Sequence, residues 1–216
     1  MSSLVLAMVI AISAGAGARA GDAKVILGIG DSLMAGYGLN HPDSFPAQLQ
    51  KHLRAKGLDV TVVNAGVSGD TSTGGRSRLA WTIDGQPGKP DLVILELGAN
   101  DALRGISPDL TRDNLDWMLG QLKKRGIPVL FAGMMAPPNM GEDYVTAFDA
   151  IYPKLAKKYD VTFYPFFLDG VAADPNLNQG DGMHPNPKGV KIIVKKITPY
   201  VIQALDKTKS GTASAP

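Results

Sequence analysis

The chain has 216 residues, 44% hydrophobic and 19% charged, with a formal net charge of +2 at pH 7. So balanced a charge carries no nucleic-acid footprint, and the absence of cysteine excludes disulfides, thiolate metal sites and a cysteine nucleophile. The length suits one domain able to bury a sizeable core.

At the N-terminus, Leu4 to Ile12 is apolar and small residues follow to Ala18-Arg19-Ala20. This is the pattern of a secretory segment with an A-x-A cleavage site after Ala20, although its n-region lacks Lys and Arg. The apolar run is too short for a stable membrane span. The expected division is a signal peptide at 1–20, a domain at 21–206 and a disordered tail at 207–216, which places the mature protein in the periplasm or outside the cell. The alternative is an N-terminal tail that is retained.

Five short apolar runs then alternate with longer amphipathic stretches: Val25–Ile29, Val60–Asn64, Leu92–Leu97, Val129–Gly133 and Val161–Tyr164. Unbroken Val93-Ile94-Leu95 reads as a strand covered on both faces. Ser44–Lys56 reads as a helix, with Phe45, Leu49 and Leu53 on one stripe, Pro46 early and Gly57 as its stop. Thr71–Ile83 is ambiguous, because Gly74-Gly75 weakens a helix start. Ser107-Pro108-Asp109 opens a helix that Gly126 ends. Glu142–Tyr159 and Pro187–Ala204 are helical in period but carry Pro153 and Pro199, where a kink or break is expected. This alternation predicts an α/β fold. Its expected form is a three-layer α/β/α domain with a five-stranded parallel sheet in the flavodoxin-like order 2-1-3-4-5.

In a parallel sheet, the loops after the strands share one edge. Here they carry Gly30-Asp31-Ser32-Leu33, Gly66-Val67-Ser68-Gly69-Asp70-Thr71, Gly98-Ala99-Asn100-Asp101, Met134 to Asn139, and Asp181-Gly182-Met183-His184-Pro185. The chemistry such parts allow is acyl transfer. A serine hydroxyl needs a base within hydrogen-bond reach. Of the three histidines, His52 lies on a solvated helix and His41 in a loop beside Pro42. His184 has Asp181 three residues earlier to fix its tautomer. Ser32 is thus the candidate nucleophile, His184 the base and Asp181 its orienting partner. The backbone N–H groups of Ser32 and Gly69 and the side-chain amide of Asn100 are candidate oxyanion donors.

These four blocks resemble those of the GDSL, or SGNH, hydrolases: Gly30-Asp31-Ser32-Leu33, Gly69, Gly98-x-Asn100-Asp101 and Asp181-x-x-His184. The resemblance spans about Val25 to Tyr200. Val63 to Ser72 and Ala150 to Ala156 are most similar to the periplasmic thioesterase/arylesterase/lysophospholipase branch. The resemblance implies Ser32, Asp181 and His184 as the triad, Ser32, Gly69 and Asn100 as the oxyanion hole, and neither metal nor cofactor. It further implies that Met134 to Gly141 helps bind the acyl chain, which makes Met135, Pro137 and Pro138 candidate substrate contacts; Asp31, Leu33 and Met183, beside the triad residues in sequence, are further candidates. With little chain left for a lid, a shallow open groove is expected, taking small-molecule esters with short-to-medium acyl or aryl groups, and thioesters or lysophospholipids as further possibilities.

Other motifs fail. The dinucleotide fingerprint that Gly28-x-Gly30 suggests has Leu33 at its third glycine, there is no Gly-Lys-Ser/Thr, and the α/β-hydrolase elbow has Met34 where it needs glycine. Two other readings stay open. One is a carbohydrate acetylesterase with the same triad, for which Trp81 and Trp117 would be the stacking aromatics. The other is a non-catalytic flavodoxin-like module that captures an anion in the glycine-rich loops.

Overall fold

The computed structural model describes residues 23–212, with side chains as far as Lys207. The expected signal segment at 1–20 and the last four residues lie outside the described residues. Five parallel strands form one sheet in the order β2-β1-β3-β4-β5: β1 Lys24–Gly30, β2 Val60–Gly66, β3 Leu92–Glu96, β4 Val129–Ala132 and β5 Thr162–Tyr164. This is the expected topology. All five β3 residues are buried, because helices cover both faces of the sheet. On one side α2 (Phe45–Ala55) packs against α8 (Pro187–Thr212); on the other α3 (Ser72–Asp84) packs against α5 (Pro108–Lys124), which meets α7 (Ile151–Tyr159). Two four- and five-residue helices, α1 (Ser32–Ala35) and α4 (Ala99–Leu103), open the loops after β1 and β3.

The ambiguous Thr71–Ile83 stretch is the complete helix α3, capped by the Thr71 hydroxyl, which accepts from Gly74 N–H at 3.3 Å. Its two glycines serve close approach. A Cβ on Gly74 would meet Asp70 Oδ1 at 2.5 Å, and one on Gly75 would collide with Leu97. What the helix loses in propensity it regains in contacts that larger residues would block. The break expected at Pro153 falls three residues earlier, where α6 (Glu142–Asp149) ends and Ala150 precedes α7. Pro153 is therefore the third residue of α7, where its missing N–H would have had no intrahelical partner. Pro199, by contrast, does not end α8, which runs on to Thr212. Six residues assigned by sequence to the terminal tail are thus helical. Thr198 Oγ1 donates to Val194 O at 2.6 Å in the turn where the proline removes a backbone donor.

Candidate active site

Ser32 is the first residue of α1, raised on the turn that leaves the carboxyl end of β1. Asp31 caps this helix, one carboxylate oxygen accepting from Leu33 N–H at 2.9 Å. Gly36 closes it in the left-handed region (φ 82°), donating its N–H to Ser32 O. The guanidinium of Arg78 ties the neighbouring strand ends together. It donates to Gly30 O at 2.9 Å and Ala65 O at 2.8 Å and pairs with Asp70 at 2.6 Å.

The loop after β5 brings Asp181 and His184 to the serine. His184 Nε2 lies 2.9 Å from Ser32 Oγ, and His184 Nδ1 lies 2.6 Å from Asp181 Oδ2. The other Asp181 oxygen accepts the N–H groups of Met183 (2.9 Å) and His184 (3.0 Å). These bonds, the His184 backbone N–H foremost, hold the Asp181 carboxyl down at about 2, although the side chain is 32% exposed. The imidazole is also covered on one face by Tyr37, ring centroids 4.7 Å apart. Gln179 fastens the two loops: its Nε2 donates to Tyr37 O (2.8 Å) and Pro185 O (3.1 Å), and its backbone N–H to His184 O (2.7 Å).

The residues that carry the candidate oxyanion donors, Ser32, Gly69 and Asn100, all line one cleft. The N–H groups of Ser32 and Gly69 donate to no acceptor among the described residues. Gly69 reaches its place through a positive φ of 83°, and its carbonyl accepts from Arg104 at 2.9 Å. The Asn100 amide nitrogen is held by two acceptors, Asp31 Oδ2 and Asp70 O, each at 3.0 Å. Both amide protons are therefore engaged, and donation to an oxyanion requires one of these bonds to become three-centred or to break. Asn100 is positioned by the next residue. Buried Asp101 accepts from Ser72 N–H (2.7 Å), Ser72 Oγ (2.5 Å) and Thr111 Oγ1 (3.0 Å), locking α4 to α3 and α5.

An apolar cleft of about 650 Å³ opens beside Ser32. Ser32, Gly69, Asn100 and His184 line it, as do Leu33, Met135, Pro137, Pro138 and Met183 among the expected substrate contacts. Asp31 does not. It is 0% exposed, so its carboxylate holds the nucleophile turn and the Asn100 amide and has no path to substrate. Burial pushes its pKa up to about 6. Behind it stands fully buried Glu96, whose Oε2 accepts from Asp31 N–H at 3.4 Å. Burial, with the Asp31 charge next, pushes Glu96 well above the ordinary carboxylate range.

Sequence reasoning missed Tyr37, Leu103, Val145, Phe166 and Leu168 as walls of the cleft, and Gln179 and Glu96 as supports. Only Tyr37, five residues after the serine, carried a local signal. The cleft's volume falls in the range of sites that hold small organic ligands. Neither Trp81 nor Trp117 lines it. Trp81 is 79% exposed, and Trp117 packs under Arg76. Among the described residues no cluster suited to a metal ion occurs, and no helix is long and apolar enough to cross a membrane.

Residues 29–192 match the model of the GDSL-like Lipase/Acylhydrolase family. An arylesterase of Vibrio mimicus is 40% identical over 180 residues, covering 83% of this chain and 89% of that protein. Thioesterase 1/protease 1/lysophospholipase L1 of Escherichia coli K12 is 42% identical over 168 residues, 78% of either chain. Among solved structures, AlinE4, an SGNH-hydrolase family esterase, superposes with a TM-score of 0.73 at 50% identity, over 86% of this chain and 98% of that one.

Proposed function

The chain belongs to the GDSL-like lipase/acylhydrolase family, and on that premise we propose that it is a carboxylic ester hydrolase working through an acyl-enzyme on Ser32. The observation that carries this reading is the unbroken relay Ser32 Oγ, His184 Nε2, His184 Nδ1, Asp181 Oδ2, with links of 2.9 and 2.6 Å, at the edge of an apolar cleft.

Ser32 Oγ attacks the acyl carbonyl carbon while His184 Nε2 takes its proton. The oxyanion is met by the N–H groups of Ser32 and Gly69 and by Asn100, and the imidazolium by Asp181. As the C–O bond of the ester breaks, Nε2 returns its proton to the departing oxygen. Water repeats the sequence on the acyl-enzyme, which releases the acid and restores the serine. Acyl and aryl esters of short-to-medium size suit the cleft. Thioesters and lysophospholipids, which the name of the Escherichia coli relative brings in, belong to the same chemistry. The N-terminal apolar segment supports export to the periplasm with cleavage after Ala20, which the N-terminal sequence of protein recovered from that compartment tests.

The deciding experiment pairs Ser32→Ala with wild type. The variant is expected to keep its circular dichroism, to lose p-nitrophenyl butyrate hydrolysis by at least about 10³-fold, and to lose covalent labelling by a fluorophosphonate. Hydrolysis that survives in Ser32→Ala overturns the mechanism.

A further inference from the structure

The cleft wall is apolar except at one place remote in sequence from the catalytic loops. Asp149, the last residue of α6, lines the same cavity as Ser32 and His184. Three observations set it apart. Its position is locally unfavourable, since a carboxylate at a helix C-terminus faces the negative end of the helix dipole. Its neighbours along the wall include Met134, Ala136 and Val145, none of which can solvate it. Only half of it is used by the fold: Oδ1 accepts from Ala136 N–H at 2.9 Å, whereas Oδ2 makes no hydrogen bond within the described protein. The Ala136 bond could be met by a neutral side chain. What requires an acid is the second oxygen. An unfavourably placed carboxylate whose single bond to the fold a neutral side chain could make marks a candidate functional position.

We infer that Asp149 is a recognition residue for a hydroxyl group on the acyl part of the substrate, so that the enzyme prefers hydroxyacyl esters to plain alkanoyl esters of the same length. An alkyl chain laid along this wall strips water from Oδ2 and returns nothing, while a hydroxyl donates to it in a charge-assisted bond. Such a site rejects the analogue that lacks the donor more strongly than an apolar wall rejects the one that has it. The inference rests on the proposal that this cleft receives the acyl group.

The test compares kcat/KM for methyl octanoate and its 3-, 6- and 8-hydroxy counterparts in wild type, Asp149→Asn and Asp149→Leu. In Asp149→Asn the amide carbonyl keeps the Ala136 bond and the NH2 group stands where Oδ2 was, a donor where the hydroxyl needs an acceptor. For the isomer that reaches the site, wild type is expected to favour the hydroxyacyl ester by about 10- to 100-fold more than either variant does. Asp149→Leu is expected to hydrolyse the plain ester faster than wild type. If no isomer's preference changes by more than twofold in either variant, while hydrolysis still depends on Ser32, the inference fails and the active-site reading stands. If hydrolysis persists in Ser32→Ala, the active-site reading itself has failed. Asp149→Asn alone suffices should the leucine variant not fold.

Discussion

Asp181 and Asp31 both support the proposed nucleophile Ser32 and have opposite electrostatics. Asp181, held down to about 2 by its backbone hydrogen bonds, stays charged far into acid, so its loss of charge does not set the acid limb of the rate. Its folded pKa is depressed, so its contribution to stability is present above the ordinary value of 3.8 and is lost as pH falls through about 2. Asp181→Asn keeps the shape but loses the acceptor that fixes the tautomer of His184; kcat is expected to fall by about 10²–10⁴, read by burst kinetics on p-nitrophenyl acetate. Asp31 has the reverse sign. Its pKa is raised from 3.8 to about 6, so between these values the folded chain binds more protons than the unfolded one, and stability falls as pH rises. Glu96, which burial raises well above the ordinary carboxylate range, acts in the same direction. Glu96→Gln keeps an acceptor for the nucleophile turn and cannot ionise, so its melting temperature is expected to exceed that of wild type by a margin that widens as pH rises. A margin that shrinks with pH would contradict the assignment. None of this was legible in the sequence. Glu96 stands at the end of an apolar run, and period alone does not distinguish a strand-end carboxylate in water from one sealed beneath a turn.

At the scale of elements, the site depends on two fastenings. Asp101 joins α4 to α3 and α5 through three accepted bonds. Asp101→Ala leaves the Ser72 N–H without its partner in a buried place, and a loss of about 2–4 kcal/mol is expected in urea unfolding. Activity should fall further than stability explains, because Asn100 is the adjacent residue. Gln179 joins the loop after α1 to the loop that carries the base. Gln179→Ala is expected to lower kcat about tenfold with KM within twofold, since the hydroxyl–imidazole distance loosens while the cleft walls stay. The helices themselves were largely legible. Phe45, Leu49 and Leu53 are all buried as their four-residue spacing required. Where the reading faltered, at Gly74-Gly75, propensity was outweighed by how closely α3 approaches Asp70 and Leu97, which no local rule contains.

For the whole molecule, strand order followed from alternation of strand and helix, because crossover connections leave few topologies open. Placement of the catalytic blocks followed from the order, since parallel strands share one carboxyl edge. The cleft did not follow. Its walls come from the segments around Tyr37, Leu103, Val145, Phe166 and Leu168, whose mutual contact exists only after packing, and whose sequence looks like ordinary core or surface.

Ser32 and His184 stand 152 positions apart, and every strand of the sheet is made before the histidine appears. A chain still emerging from the ribosome thus has its serine long before its proposed base. Ribosome-stalled chains that end before His184 should ignore a fluorophosphonate, however much of the sheet has formed, and chains long enough to clear the exit tunnel beyond it should react. Reactivity of the serine is then a report that the chain has been made and released past His184, and no product truncated before that residue can attack esters through this relay.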